Sequence, residues 1–188
     1  GIKMEVHDEI IQTAKEVGIP YAGHVSTDVG IRHALQSEYA TIDHVDGYLE
    51  GLVPKSADVS PDENGFFGYN FTDLADRSMI PELVAMTKEH GVSDIPADQL
   101  ADESEMKYMP ASTIQSWVER KNQLTSNPGF DSDTWNTFND IRRDMIHQLQ
   151  HNGQGLLLGS DAPQVFNVPG FSIHHEMQYM GEAGLTRL

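Results

Sequence analysis

The sequence predicts an α/β fold with a parallel sheet. Two short apolar runs, 20–25 and 40–45, enclose a segment with helical periodicity, and a third run, GLLLGS at 155–160, is continuously apolar between glycines. A continuous apolar run of this length is typical of a strand buried on both faces. Strands that alternate with helices indicate a parallel sheet. Because a closed eight-stranded barrel needs about 250 residues, these 188 residues predict only part of one.

The other elements follow from apolar spacing and from turn residues. Apolar positions near a 3.6-residue period predict amphipathic helices, and glycine after the last such position predicts a helix end. The predicted helices are 5–17, a short one capped by Asp28, 72–90 with Pro81 inside it, 114–124, 134–150 and 171–183. The predicted strands are a stub at 1–4, then 20–25, 40–45, a weak one at 91–96, and 155–160.

Charge and cysteine content exclude several classes of function. The chain has 12 basic and 29 acidic residues, a formal charge of −17. This charge repels nucleic acid and anionic membranes. With no cysteine, any metal must be held by nitrogen and oxygen ligands. No apolar run approaches the ~20 residues that cross a bilayer, so we expect a soluble protein, either cytoplasmic or exported.

Three side chains capable of binding a metal share one predicted location, the carboxyl end of a parallel strand. His24 and His44 lie about one βαβ step apart, and Asp161 follows the buried third run. Neighbouring strands are about 4.8 Å apart, so the two imidazoles can converge on one ion. A single histidine at such a place is more often structural, but two in the same register favour a metal site. Imidazole and carboxylate suit zinc and similar divalent ions.

Five motifs that carry these residues together resemble the metal-dependent amidohydrolase superfamily. The motifs are GHV at 23–25, IDHVDGY at 42–48, LLLGSDAP at 156–163, VPGFSIHHE at 168–176 and EAGLT at 182–186. The resemblance is greatest to the imidazolonepropionase and Xaa-Pro or Xaa-Arg dipeptidase-like branch. The order and spacing of the five motifs carry this resemblance, which spans nearly the whole chain.

The resemblance implies a (β/α)8 barrel with a metal at its mouth. His24 would be the ligand from strand 5, His44 the ligand from strand 6, and Asp161 the strand-8 aspartate that touches the metal and acts as general base and acid. Lys3 would take the place of the strand-4 lysine, a further ligand if carbamylated. The implied cofactor is a divalent metal, with Zn²⁺ favoured, as one or two ions.

The predicted activity is metal-dependent hydrolysis of an amide-like C–N bond, in a dipeptide or a cyclic amide, by a metal-activated water. Tyr48, Asp46 and His174 are the candidate substrate-binding residues. The alternative from another class is an acidic binding or structural fragment that keeps the barrel motifs without a working metal site. A flavodoxin-like open sheet fits the length, but no glycine-rich phosphate loop follows the first strand.

The resemblance extends to only about strands 4 to 8 of such a barrel. The His-x-His pair of the family's first strand has no counterpart in the sequence. We therefore interpret residues 1–188 as the C-terminal half of an amidohydrolase barrel, truncated at both ends. Its expected partners are a small-molecule or dipeptide substrate and the remaining half of the barrel, and a homo-oligomer is also left open. Without that half, we expect weak metal binding.

Overall fold

A computed structural model describes residues 1–87 and 102–186. These residues form seven α-helices, four 3₁₀ segments and one two-stranded sheet. The helices are α1 (Met4–Val17), α2 (Gly30–Gln36), α3 (Tyr48–Gly51), α4 (Ile80–Met86), α5 (Ala111–Thr125), α6 (Ser132–His151) and α7 (Ser172–Glu182). The strands are β1 (Ala22–Gly23) and β2 (Thr41–Ile42), and the 3₁₀ segments are Pro61–Glu63, Phe66–Leu74, Arg77–Met79 and Ser104–Tyr108. None of the described helices combines the length and the apolar character needed to cross a bilayer.

The sheet is a βαβ unit in which α2 crosses from β1 to β2. The register pairs Ala22 with Thr41 and Gly23 with Ile42, in parallel. The predicted strands at 20–25 and 40–45 are confirmed in place and direction, but they are shorter than predicted. The second strand ends early because His44 and Val45 have φ values of 56° and 55°, outside the extended region that a ladder requires.

The predicted strand 155–160 does not join this sheet. Leu157 and Leu158 are 59% and 42% exposed, and none of the described residues pairs with this run as a strand. A strand needs another strand to share its backbone hydrogen bonds, and the described residues place no paired strand beside this run. The predicted stub at 1–4 is also wrong, since α1 begins at Met4 with Lys3 as its N-cap. The weak strand at 91–96 lies outside the described residues.

The helix predictions are mostly confirmed, and α1, α5, α6 and α7 begin and end within a few residues of the predicted bounds. Asp28 does not cap α2: Val29 holds the N-cap position, and Asp28 instead pairs with Lys3. Pro81 lies in the first turn of α4, where proline's missing N–H costs nothing. Before α4, the helix predicted from 72 is replaced by 3₁₀ segments that end at Leu74 and resume at Arg77, with an extended break at 75–76. Its last residues, 88–90, are outside the described ranges.

The described residues contain two separate apolar cores. The larger one packs the helices around β2 and includes fully buried Ile42, Leu52, Ile80 and Leu83. The smaller one joins α5 to the loop that follows Asp161. It consists of Met106, Trp117, Phe166 and Val168. The two histidines and the aspartate of the predicted site are thus supported by different cores.

Candidate metal centre

The short sheet brings the two predicted histidine ligands together. The ring centroids of His24 and His44 are 5.0 Å apart and their planes differ by 24°. This is the juxtaposition expected for side chains at the carboxyl ends of adjacent parallel strands.

Asp161 approaches the same place from the far end of the chain. Its Oδ2 lies 3.4 Å from His44 Nε2, and Gln164 Nε2 donates a hydrogen bond to the same oxygen. Two ligand atoms bound about 2.0–2.1 Å from a tetrahedral zinc ion are about 3.4 Å apart. His44 and Asp161 therefore have the donor types and the spacing that one shared cation requires.

His24 forms a second pair, with Asp46. His24 Nδ1 lies 2.5 Å from Asp46 Oδ2, and Asp46 is only 6% exposed. Burial raises the pKa of Asp46, and the hydrogen bond and charge of His24, with the charges of His44 and Arg142, oppose this rise without cancelling it. Asp46, predicted as a substrate-binding residue, contacts the predicted ligand His24.

Two of the predicted ligands have an unusual backbone conformation. His44 and Asp161 have φ values of 56° and 48°, and Val45, which is β-branched, has a φ of 55°. Non-glycine residues at positive φ cost on the order of 1–3 kcal/mol each and are concentrated at functional sites. The backbone strain at His44, Val45 and Asp161 thus indicates a functional site here, independently of the side-chain distances.

Arg142 of α6 holds the strained backbone of His44, and sequence reasoning missed it. Its Nη2 donates a hydrogen bond of 2.9 Å to the His44 carbonyl oxygen. The guanidinium lies over the rings of Phe67 and Phe138, 5.4 and 5.2 Å from their centroids, and the Phe67 ring meets His44 edge-on. The available signal was an arginine four residues after Phe138, on the apolar face of a predicted helix.

The aspartate side of the centre depends on the smaller core. Asn167 donates to the carbonyl oxygen of Ser160, and Phe166 and Val168 anchor the loop after Asp161 in that core. His175 of α7 contacts Glu105 in the neighbouring 3₁₀ segment, with Nε2 2.5 Å from Oε1. Asp161 itself retains a half-exposed side chain.

The other three predicted site residues are placed elsewhere. Lys3 Nζ lies 2.5 Å from Asp28 Oδ2, and this hydrogen bond and charge raise the Lys3 pKa. Tyr48 is 1% exposed, and its hydroxyl bonds to Thr87 Oγ1 at 2.9 Å; burial raises its pKa to about 12. His174 is exposed in the first turn of α7.

Two further groups in the described ranges bring three donor atoms within 4.8 Å of one another. They are His7, Asp8 and His33, and Glu103, Glu105 and His175. The predicted set of His24, His44 and Asp161 is not among these compact groups, because it is assembled as two pairs. A shallow cleft between α6 and α7, lined in part by Asn139 and Met180, contains none of the predicted site residues.

Comparison with known proteins gives one informative likeness. No family model matches the chain, and no curated protein matches its sequence. Among solved structures, the chain is similar to bottromycin amidohydrolase, with a TM-score of 0.60 and 20% identity. The match covers 98% of this chain and 41% of that chain. At this identity the likeness shows the fold alone: the chain folds like part of an amidohydrolase, and its described residues form no barrel.

Proposed function

We propose that this chain carries part of the active site of a metal-dependent hydrolase of amide-like C–N bonds. The observation that carries the proposal is the meeting of His24, His44 and Asp161 at one end of a parallel strand pair. The His44 and Asp161 donor atoms have the spacing of a shared cation, and both residues have strained backbones. The amidohydrolase-like fold supports the same conclusion.

The residues present fit a divalent metal, with Zn²⁺ as the proposed ion. His24, His44 and Asp161 would hold it, since two imidazoles and a carboxylate are a donor set used by catalytic zinc. When bound, the metal would polarise the substrate carbonyl and lower the pKa of a water molecule to about 7. A catalytic zinc ion takes three protein ligands. The proposal therefore requires His24 to join His44 and Asp161 at the same ion.

Asp161 is the group proposed to move protons. Its carboxylate would accept a proton from the attacking water and return it to the nitrogen that leaves. Gln164 donates its hydrogen bond to Asp161 Oδ2, the oxygen that faces His44, and would hold the carboxylate in that orientation. The proposed substrate class is a dipeptide or a cyclic amide, by resemblance to the imidazolonepropionase and dipeptidase-like branch.

We also propose that the other part of a barrel covers the exposed apolar faces of this chain. Leu157 and Leu158 are exposed in a run that resembles a buried strand, and Val6 and Val17 of α1 are 51% and 61% exposed. The chain spans 41% of the amidohydrolase that it resembles in structure. The part of such a barrel that this chain does not match would pair with the run and complete the metal site.

Metal analysis and a substrate panel test the proposal. The protein that carries this chain should contain stoichiometric zinc and hydrolyse members of a panel of dipeptides and cyclic amides, and a chelator should abolish the activity. His44→Ala should lose both zinc and activity, whereas His151→Ala, at the exposed end of α6, should retain both. Full activity of His44→Ala would contradict the proposal.

One observation favours the rival function, a fragment with barrel motifs and no working metal site. The three predicted ligands are assembled as His24–Asp46 and His44–Asp161 pairs rather than as one compact group. This rival predicts no stoichiometric transition metal in the protein. It also predicts that zinc changes the stability of neither the native protein nor His44→Ala.

A further inference from the structure

The contact between His24 and Asp46 determines how His24 presents its two ring nitrogens. An ionised carboxylate only accepts hydrogen bonds, so the 2.5 Å contact with Asp46 Oδ2 requires the proton on His24 Nδ1. The neutral ring then carries its lone pair on Nε2. Which nitrogen of a histidine can bind a metal is set by the hydrogen bond that the other one makes.

Asp46 lies buried in the turn between β2 and α3. Its backbone N–H donates to the Asp43 carbonyl oxygen at 3.0 Å. The next residue, Gly47, has a φ of 76°, and a Cβ there would lie 3.3 Å from both Val25 and Ile31. Glycine adopts this conformation without strain, and any larger residue would press on both neighbours, so packing constrains the turn that carries Asp46.

His24, in contrast, has few other constraints. Its side chain is 63% exposed while that of Asp46 is 9% exposed. The remaining described contact of the ring is its stacking on His44. The buried carboxylate is therefore the element that fixes both the rotamer and the tautomer of this imidazole.

We propose that Asp46 is a positioning residue that holds His24 in its Nδ1–H tautomer and so presents Nε2 to a divalent cation. The proposal rests on the proposed function, and it replaces the substrate contact predicted for Asp46 by a role that acts through His24. Carboxylates that receive the second N–H of a metal-binding histidine raise its basicity, and their loss typically costs about 10–100-fold in metal affinity.

The first test needs no metal. Long-range ¹H–¹⁵N spectra of the protein, treated with chelator and at a pH where imidazole is neutral, report the tautomer of His24. We expect the Nδ1–H form in the native protein and in Asp43→Ala, which removes a carboxylate from the same turn. Asp46→Ala should shift His24 towards the Nε2–H form. A native His24 in the Nε2–H form would overturn the proposal.

The second test measures zinc affinity by competition with a chelator. Asp46→Ala should weaken zinc binding by about 10–100-fold. Asp46→Asn should lose less, because its amide oxygen still accepts the hydrogen bond from His24 Nδ1–H. Asp43→Ala should bind zinc as tightly as the native protein. In a His24→Ala background, Asp46→Ala should change the affinity by less than about twofold, the limit for sites that do not interact. A loss that persists there would show that Asp46 does not act through His24.

These outcomes separate the two proposals. A native protein that binds no zinc would contradict the proposed function, and with it the role of His24 as a ligand. A native protein that binds zinc as tightly as Asp46→Ala would contradict only the positioning role. Circular dichroism spectra and melting temperatures of all variants check that each one is folded.

Discussion

The two sides of the candidate centre are built in different ways. His24 and His44 follow hydrogen-bonded parallel strands whose core residue, Ile42, is fully buried. Asp161 follows an extended run with exposed leucines, and the smaller core positions its loop. The histidine side is thus specified by the backbone ladder and the main core. The aspartate side depends on side-chain packing of a loop.

The two sides therefore differ in how nearly each is arranged for a ligand before one binds. A ladder fixes the spacing of the backbones that carry His24 and His44. A loop anchored by a few apolar side chains opens locally at a lower free-energy cost than the main core. We therefore expect the histidine side to be preorganised and the aspartate side to be the one that moves, and the following changes test this.

The greatest loss in the free energy of unfolding is expected from a change in β2, the strand that precedes His44. Ile42→Ala should lower the free energy of unfolding by about 3 kcal/mol, because it leaves a cavity in the main core. In residues 1–188 by themselves, Leu157→Ala, in the exposed run before Asp161, should change it by less than about 0.5 kcal/mol. Urea unfolding of both variants measures the difference. In a protein that also carries the proposed second part of the barrel, Leu157→Ala should cost about as much as Ile42→Ala, because the run would be covered there.

The next effect comes from the arginine behind His44. Arg142→Met keeps most of the apolar stem but removes the hydrogen bond to the His44 carbonyl oxygen. A buried bond from a charged donor contributes about 2 kcal/mol, and we expect a loss of this size in the free energy of unfolding. The matched control is Arg143→Met, whose exposed ion pair with Asp140 should contribute less than about 1 kcal/mol. Equal effects of the two changes would show that the hydrogen bond of Arg142 does not stabilise the backbone of His44.

A smaller and more local effect is expected on the aspartate side. Val168→Ala removes two methyl groups from the smaller core, where Val168 is buried, and should cost about 1–2 kcal/mol. Hydrogen exchange should accelerate at 161–168 while β1 and β2 stay protected. Val165→Ala, at a 40% exposed position of the same loop, should leave exchange unchanged. Faster exchange at both strands would show that the two sides unfold together.

The smallest effect is the pH dependence of the Glu105 contact with His175. Burial raises the pKa of Glu105, but its backbone hydrogen bond and its contact with His175 outweigh burial, and the pKa lies below the ordinary value of 4.5. A carboxyl with a lowered pKa in the folded state adds stability above its unfolded pKa. This stability is lost as the pH falls through the folded value.

Glu105→Gln should therefore lower the melting temperature at neutral pH and have little effect at a pH below the folded pKa of Glu105. Melting curves between neutral and acidic pH measure this convergence. Glu119→Gln on exposed α5 is the control and should melt like the native protein throughout. Native and Glu105→Gln curves that stay parallel at every pH would contradict the expected linkage.

Much of the local structure followed from the sequence. The helices α1, α5, α6 and α7 were predictable because their apolar residues recur at the helical period and glycine or asparagine follows most of their ends. The pairing of His24 with His44 was predictable because one βαβ step fixes both distance and direction. The strand at 155–160 was not, because apolar composition predicts burial but does not supply a neighbour to pair with.

The residue types of the candidate centre, and their order along the chain, can be read from the sequence. Folding alone brings His24 to Asp46, His44 to Asp161, and Arg142 to the strained backbone of His44. Periodicity and turn chemistry cannot predict these contacts, because they act over a few neighbouring residues. A hydrogen bond between residues 98 positions apart depends on how whole helices and strands pack together.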